Sequence, residues 1–155
     1  FNTLSSDLKN SIAYNISVDN KIVNFEGDRY KISFMTLVDR IGQGQSLPHT
    51  ELARVTYAFD KARGTLKRTV ATQAEGLSED LAKGGDLLES IDDKDFGFEY
   101  CDRLGASLTD YDYEWKDAWE DEDMNKGRIP RGVKVKTLGY SKIIFIPTGY
   151  LGGER

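Results

Sequence analysis

Residues 51–71, ELARVTYAFDKARGTLKRTVA, decide the reading of the fold. Val55, Tyr57 and Phe59 alternate with Arg54, Thr56 and Ala58, a period of two that belongs to a strand with one face buried and the other toward solvent. Asp60-Lys61-Ala62-Arg63-Gly64 breaks the alternation, and Gly64 supplies a residue free to take a positive φ. Leu66, Arg68 and Val70 then share one face of a return strand, with Thr65, Lys67 and Thr69 on the other. The stretch is a β-hairpin. Its five-residue loop is compatible with more than one register.

Around the hairpin, other segments alternate in the same way. Residues 30–34 (YKISF) form a strand after the Glu26-Gly27-Asp28 turn, and Ile16-Ser17-Val18 and Ile22-Val23 suggest short strands. Phe96, Phe98 and Tyr100 make an aromatic stripe on one face of a further strand, a pattern that belongs to sheet core. Val133 and Val135 point inward between Lys134 and Lys136, and residues 143–147 (IIFIP) read as a fully buried short strand or as the last core element of the chain. Residues 40–50 read as a loop. Residues 77–85 read as one helical turn, with Ser78 as its cap and Gly84-Gly85 as its stop. At the start of the sequence, Phe1, Leu4, Leu8 and Ile12 recur at helical spacing, which predicts a helix of about three turns or the last turns of a longer one.

The 155 residues fit one domain. A net charge of −5 argues against non-specific nucleic-acid binding. Charge is unevenly placed: residues 1–75 carry 10 Lys/Arg against 8 Asp/Glu, and residues 76–155 carry 11 against 18. Cys101 is the only cysteine and His49 the only histidine, so neither an internal disulfide nor an ordinary zinc site can be built. Gly42-Gln43-Gly44 lacks the residues of a phosphate loop. Asp110, Asp112 and Glu114 place three carboxylates at alternate positions, yet the segment lacks the glycine and closing glutamate of a calcium loop. The expectation is an acidic solvated segment without metal, and a chain with no catalytic residues and no cofactor.

Taken in order, these pieces resemble the general secretion pathway protein J family, the J-type minor pseudopilins of bacterial type II secretion. The resemblance rests on Leu4-x-x-x-Leu8 with Asp7, Ile32-Ser33-Phe34, Arg54-Val55-x-Tyr57, and Leu66-x-Arg68. It continues through Leu87-Leu88 leading to Phe98-x-Tyr100, the Trp115-x-x-x-Trp119 pair, and Ile129-Pro130-x-Gly132-Val133-x-Val135. Residues 106–113 look like an insertion, and the acidic run after Trp119 is richer than the family pattern. What the resemblance implies is an α+β head, an N-terminal helix packed on antiparallel β-sheets. It implies a non-catalytic subunit whose full-length form is anchored in the inner membrane by an N-terminal helix, with its head in the periplasm. Its partners would be the I-type and K-type minor pseudopilins at the pseudopilus tip. Phe1, Leu4, Leu8 and Ile12 would be the partner-binding stripe, with Leu8 and Ile12 buried and Phe1 and Leu4 more exposed or packed against a neighbouring copy. Two other readings stay open: a minor pilin of a type IV pilus or competence system, and a small β-rich calcium-dependent binding domain or carboxylate enzyme.

Overall fold

The computed structural model describes residues 2–13, 16–18, 21–23, 25–40, 47–103, 113–119 and 129–147. In chain order these form a helix α1 (Asn2–Lys9) and the strands β1 (Ile16–Val18), β2 (Lys21–Val23), β3 (Glu26–Gly27), β4 (Lys31–Arg40), β5 (His49–Asp60) and β6 (Thr65–Thr72). They continue as β7 (Lys83–Leu88), β8 (Gly97–Arg103), β9 (Tyr113–Lys116), β10 (Gly132–Thr137) and β11 (Tyr140–Phe145). Two single 3₁₀ turns, Gln73–Glu75 and Glu79–Leu81, lie between β6 and β7.

The hairpin sits where its sequence puts it. β5 pairs with β6 so that Val55 faces Val70, Tyr57 faces Arg68 and Phe59 faces Leu66. Asp60 accepts bonds from the N–H groups of Ala62 and Arg63 at 2.9 and 3.1 Å, and Gly64 closes the loop at φ +64°. This pair is the centre of a five-stranded antiparallel sheet, β3-β4-β5-β6-β7. A second antiparallel sheet has the order β11-β10-β8-β9. Their inner faces share one core. Phe59 stacks on Phe96 with centroids 4.4 Å apart, and Phe25 lies on Phe34 at 5.7 Å and edge-on to Tyr100 at 6.1 Å. Val133, Val135 and Ile144 close this core from the second sheet.

The expected α+β fold, a pilin-like head with an N-terminal helix packed on antiparallel sheets, is therefore corrected to a mostly β fold: among the described residues there are two large antiparallel sheets, a two-stranded β1-β2 ribbon and one short helix. The physical reason lies at residues 10–12. The Ser11 hydroxyl donates to the Leu8 carbonyl at 2.7 Å, Ser11 bridges to Thr36, and the Ile12 N–H donates to the Met35 carbonyl at 2.9 Å. Backbone that would have continued the helix is taken up by the edge of a sheet, so the helix ends after eight residues.

Three smaller expectations also change. Ser78 makes no side-chain cap bond, and Gly84-Gly85 stop nothing: they lie inside β7. At Gly84 a Cβ would stand 1.8 Å from the Arg68 carbonyl oxygen, so this strand needs glycine for close backbone approach rather than for a turn. The stretch 40–50 is not all loop, because β4 reaches Arg40 and β5 begins at His49; residues 41–46 lie outside the described residues. In β11 only Ile144 is buried. Ile143 and Phe145 face outward, so the strand is one-sided rather than fully buried.

Candidate interaction surface

Of the four residues in the expected partner-binding stripe, Phe1 lies outside the described residues. Leu4 and Leu8 are both core, at 2% and 0% exposure, and Ile12 is half-buried beyond the end of α1. Leu4 is thus not the exposed end of the stripe. α1 packs against both β4 and β11, so its apolar side is covered from two directions. What α1 turns outward is polar: Asn2, Thr3, Ser6 and Lys9.

The helix is pinned by a charge. The Asp7 carboxylate accepts the Tyr57 hydroxyl at 2.6 Å and the Arg68 Nε–H at 2.8 Å, while the Asp7 carbonyl accepts the Thr36 hydroxyl at 3.0 Å. Burial opposes the Arg68 charge, but Asp7 outweighs it and the guanidinium pKa is raised. Burial, then the adjacent carboxylate, push the Tyr57 phenol well above its ordinary value, so it acts as a donor throughout the working range. Asp7, Tyr57 and Arg68 come from three separate landmarks of the sequence and meet at one point. The spacing of the landmarks did not signal this meeting.

On the outer face of the five-stranded sheet a second polar cluster occurs where solvent was expected. Arg54 is buried there. It reaches Glu26 at 2.6 Å, Glu79 at 3.0 Å and the Ser33 hydroxyl at 3.0 Å, and Lys31 holds the other oxygen of Glu79 at 2.7 Å. The turn Glu79–Leu81 is thereby clasped onto β4 and β5. Burial pushes the Glu79 carboxyl upward, yet Lys31 and Arg54 outweigh it and its pKa is lowered. A depressed carboxylate stabilises the fold fully above its unfolded-state pKa of about 4.3, and that contribution is lost as pH falls through the folded-state value. Glu79→Gln should therefore lower Tm most near neutrality, with the gap to the parent closing as the pH is taken below about 4. A gap that stays constant across that range in thermal denaturation would show that the clasp is not electrostatic.

The residues that chemistry might have used are placed as follows. His49 is exposed on β5, with Nε2 3.9 Å from Glu51. Cys101 is buried on β8, where burial and then the neighbouring Asp102 push its thiol up to about 11. Asp110 and Asp112 lie outside the described residues, and Glu114 is exposed on β9. Among the described residues no three His, Cys, Asp or Glu side chains gather as a metal site. A cavity of about 160 Å³ is lined by charges that balance, Arg29, Lys94 and Lys136 against Asp95, Glu99 and Asp117. Glu99 there is already bridged by Lys134 and Lys136.

The exposed apolar side chains point elsewhere. Seven large ones are exposed among the described residues, and four of them, Leu138, Tyr140, Ile143 and Phe145, lie on the β10–β11 hairpin. Lys134, paired with Ile143, rests over the Trp115 ring at 4.0 Å. This hairpin flanks α1 and is the clearest candidate for an interaction surface. Compared with known proteins, the chain matches no family model and no curated protein sequence.

Proposed function

We propose that this chain is a non-catalytic assembly subunit, the minor pseudopilin head of a type II secretion system that the J-family resemblance implies, acting with I-type and K-type partners. The fold carries no weight in this reading. What supports it is the spatial meeting of Asp7, Tyr57 and Arg68, which link three of the quoted landmarks through one carboxylate. Leu4, Leu8, Ile32, Phe34, Phe98, Tyr100, Trp119, Ile129, Val133 and Val135, drawn from the same landmarks, belong to one core. Residues that carry the resemblance thus make up the core of the described residues and its buried Asp7 clamp. In this reading the head stands in the periplasm and the full-length form is held at the inner membrane. The described residues contain no helix long and apolar enough to cross a membrane.

The test is direct binding. The purified chain should bind the purified head of an I-type minor pseudopilin, alone or together with a K-type head, with a Kd below about 100 µM in isothermal titration calorimetry. Absence of heat and of co-elution with either head at higher concentration would reject the proposal.

A further inference from the structure

The tip of the β10–β11 hairpin is built at odds with its own sequence. Thr137 pairs with Tyr140, so the connection is the two residues Leu138 and Gly139. Both have positive φ, +48° and +76°. That is the backbone of a tight hairpin turn whose first position favours asparagine, aspartate or glycine. Leucine there is strained by its Cβ, and its side chain is 59% exposed, so neither the backbone nor the core gains from it. Its neighbour Tyr140 is 79% exposed. Two large side chains, one on each side of Gly139, are therefore exposed at a turn that a small polar residue would suit better.

The charge around them is equally specific. Residues 129–147 carry Arg131, Lys134, Lys136 and Lys142 and no Asp or Glu, in a chain of net charge −5. Glu99, from β8, holds Lys134 and Lys136, and Asp102, also from β8, lies 3.9 Å from Arg131, so the positive excess is concentrated toward the tip at Lys142. Lys136 and Lys142 flank the tip on the two strands, and both are exposed. An apolar point with a basic rim on an otherwise acidic chain is complementary to an apolar pocket with an acidic rim.

We infer that Leu138 and Tyr140 form an anchor that inserts into an apolar pocket, rimmed by carboxylates, on a partner protein subunit. The inference rests on the proposed function in taking that partner to be another minor pseudopilin head. Two adjacent side chains on a rigid turn, one of them a tyrosine, fit the small central cluster that dominates many protein interfaces. The lysines steer the encounter and make it sensitive to salt.

Leu138→Asn separates this role from a structural one. Asparagine suits the positive φ, so the variant should keep or raise Tm while losing the anchor. Measured by calorimetry against purified I-type and K-type heads, Leu138→Asn and Tyr140→Ser should each weaken binding at least about tenfold, as expected for an anchor residue. Lys142→Glu should weaken it further at low salt than at high salt, and the parent's own affinity should fall as salt rises. If the parent binds and these variants bind equally well, the inference fails and the proposed function stands. If the parent binds neither head, both fail. Loss of binding to vesicles of phosphatidylcholine and phosphatidylglycerol, with head binding unchanged, would assign the tip to a lipid surface and overturn the inference. Concentration-dependent self-association abolished by Leu138→Asn would overturn it in favour of a second copy.

Discussion

Asp7→Ala should lower stability by about 3–5 kcal/mol, the range for removing one partner of a buried ion pair. The size follows from what is left behind. Asp7 is 8% exposed, and its carboxylate is the acceptor for both the fully buried Tyr57 hydroxyl and Arg68. Without it, the buried Tyr57 phenol loses its acceptor at a cost larger than the bond it formed, and the half-buried Arg68 guanidinium loses its counter-charge. An eight-residue helix cannot hold itself in water, so α1 should fray as well. Urea denaturation followed by far-UV circular dichroism measures this. Asp7→Asn, which keeps an acceptor but loses the charge, should cost less than Asp7→Ala. Equal midpoints for the alanine variant and the parent would mean that the carboxylate does not secure the helix.

Trp119→Ala should cost a comparable amount, about 3–5 kcal/mol. Trp119 is 2% exposed and belongs to no strand longer than a bridge. Its backbone N–H donates to the Gly27 carbonyl at 2.8 Å, a bond that alanine would keep, and its ring meets Phe25 edge-on with centroids 6.5 Å apart. Removing the indole opens a void beside Phe25, which also carries the contacts to Phe34 and Tyr100. The space cannot be recovered by a local shift, because Gly27 already approaches Tyr100 so closely that an added Cβ would lie 2.2 Å from its hydroxyl. Trp119→Phe should retain most of the stability. A Trp119→Ala variant within about 1 kcal/mol of the parent would show that the site collapses freely.

Alternation made much of this legible. Val55, Tyr57 and Phe59 are buried as their period of two requires, and so are Phe96, Phe98, Tyr100, Val133 and Val135. Side-chain period is a local property, and local reading recovers it. What failed was decided at a distance. The helix was expected to reach Ile12, but its end is set by Met35 and Thr36 on a strand more than twenty residues away. Arg54 and Thr56 were assigned to solvent because nothing in the hairpin shows that Glu79 will fold back over them. Gly84 and Gly85 followed a plausible capping residue and were read as a stop, whereas the constraint on Gly84 is the carbonyl of Arg68 on the next strand. The Leu138-Gly139 turn left no mark at all, because leucine is not a turn residue and the strain it accepts is visible only in the backbone.

The clamp at Asp7 also fixes the order in which the chain can be finished. Asp7 and Arg68 are 61 residues apart, and β11, which covers the other side of α1, is the last strand in the described sequence. During synthesis α1 is made before the strands that hold it: its charge partner appears only with β6 and its apolar cover only with β11. Contacts that span so much chain form late and slowly. Until they form, Leu4 and Leu8 belong to a segment too short to be a stable helix by itself. This helix, made before its cover, is therefore among the last elements to settle, and a ribosome stalled before Tyr140 would present its apolar stripe to whatever binds nascent chains.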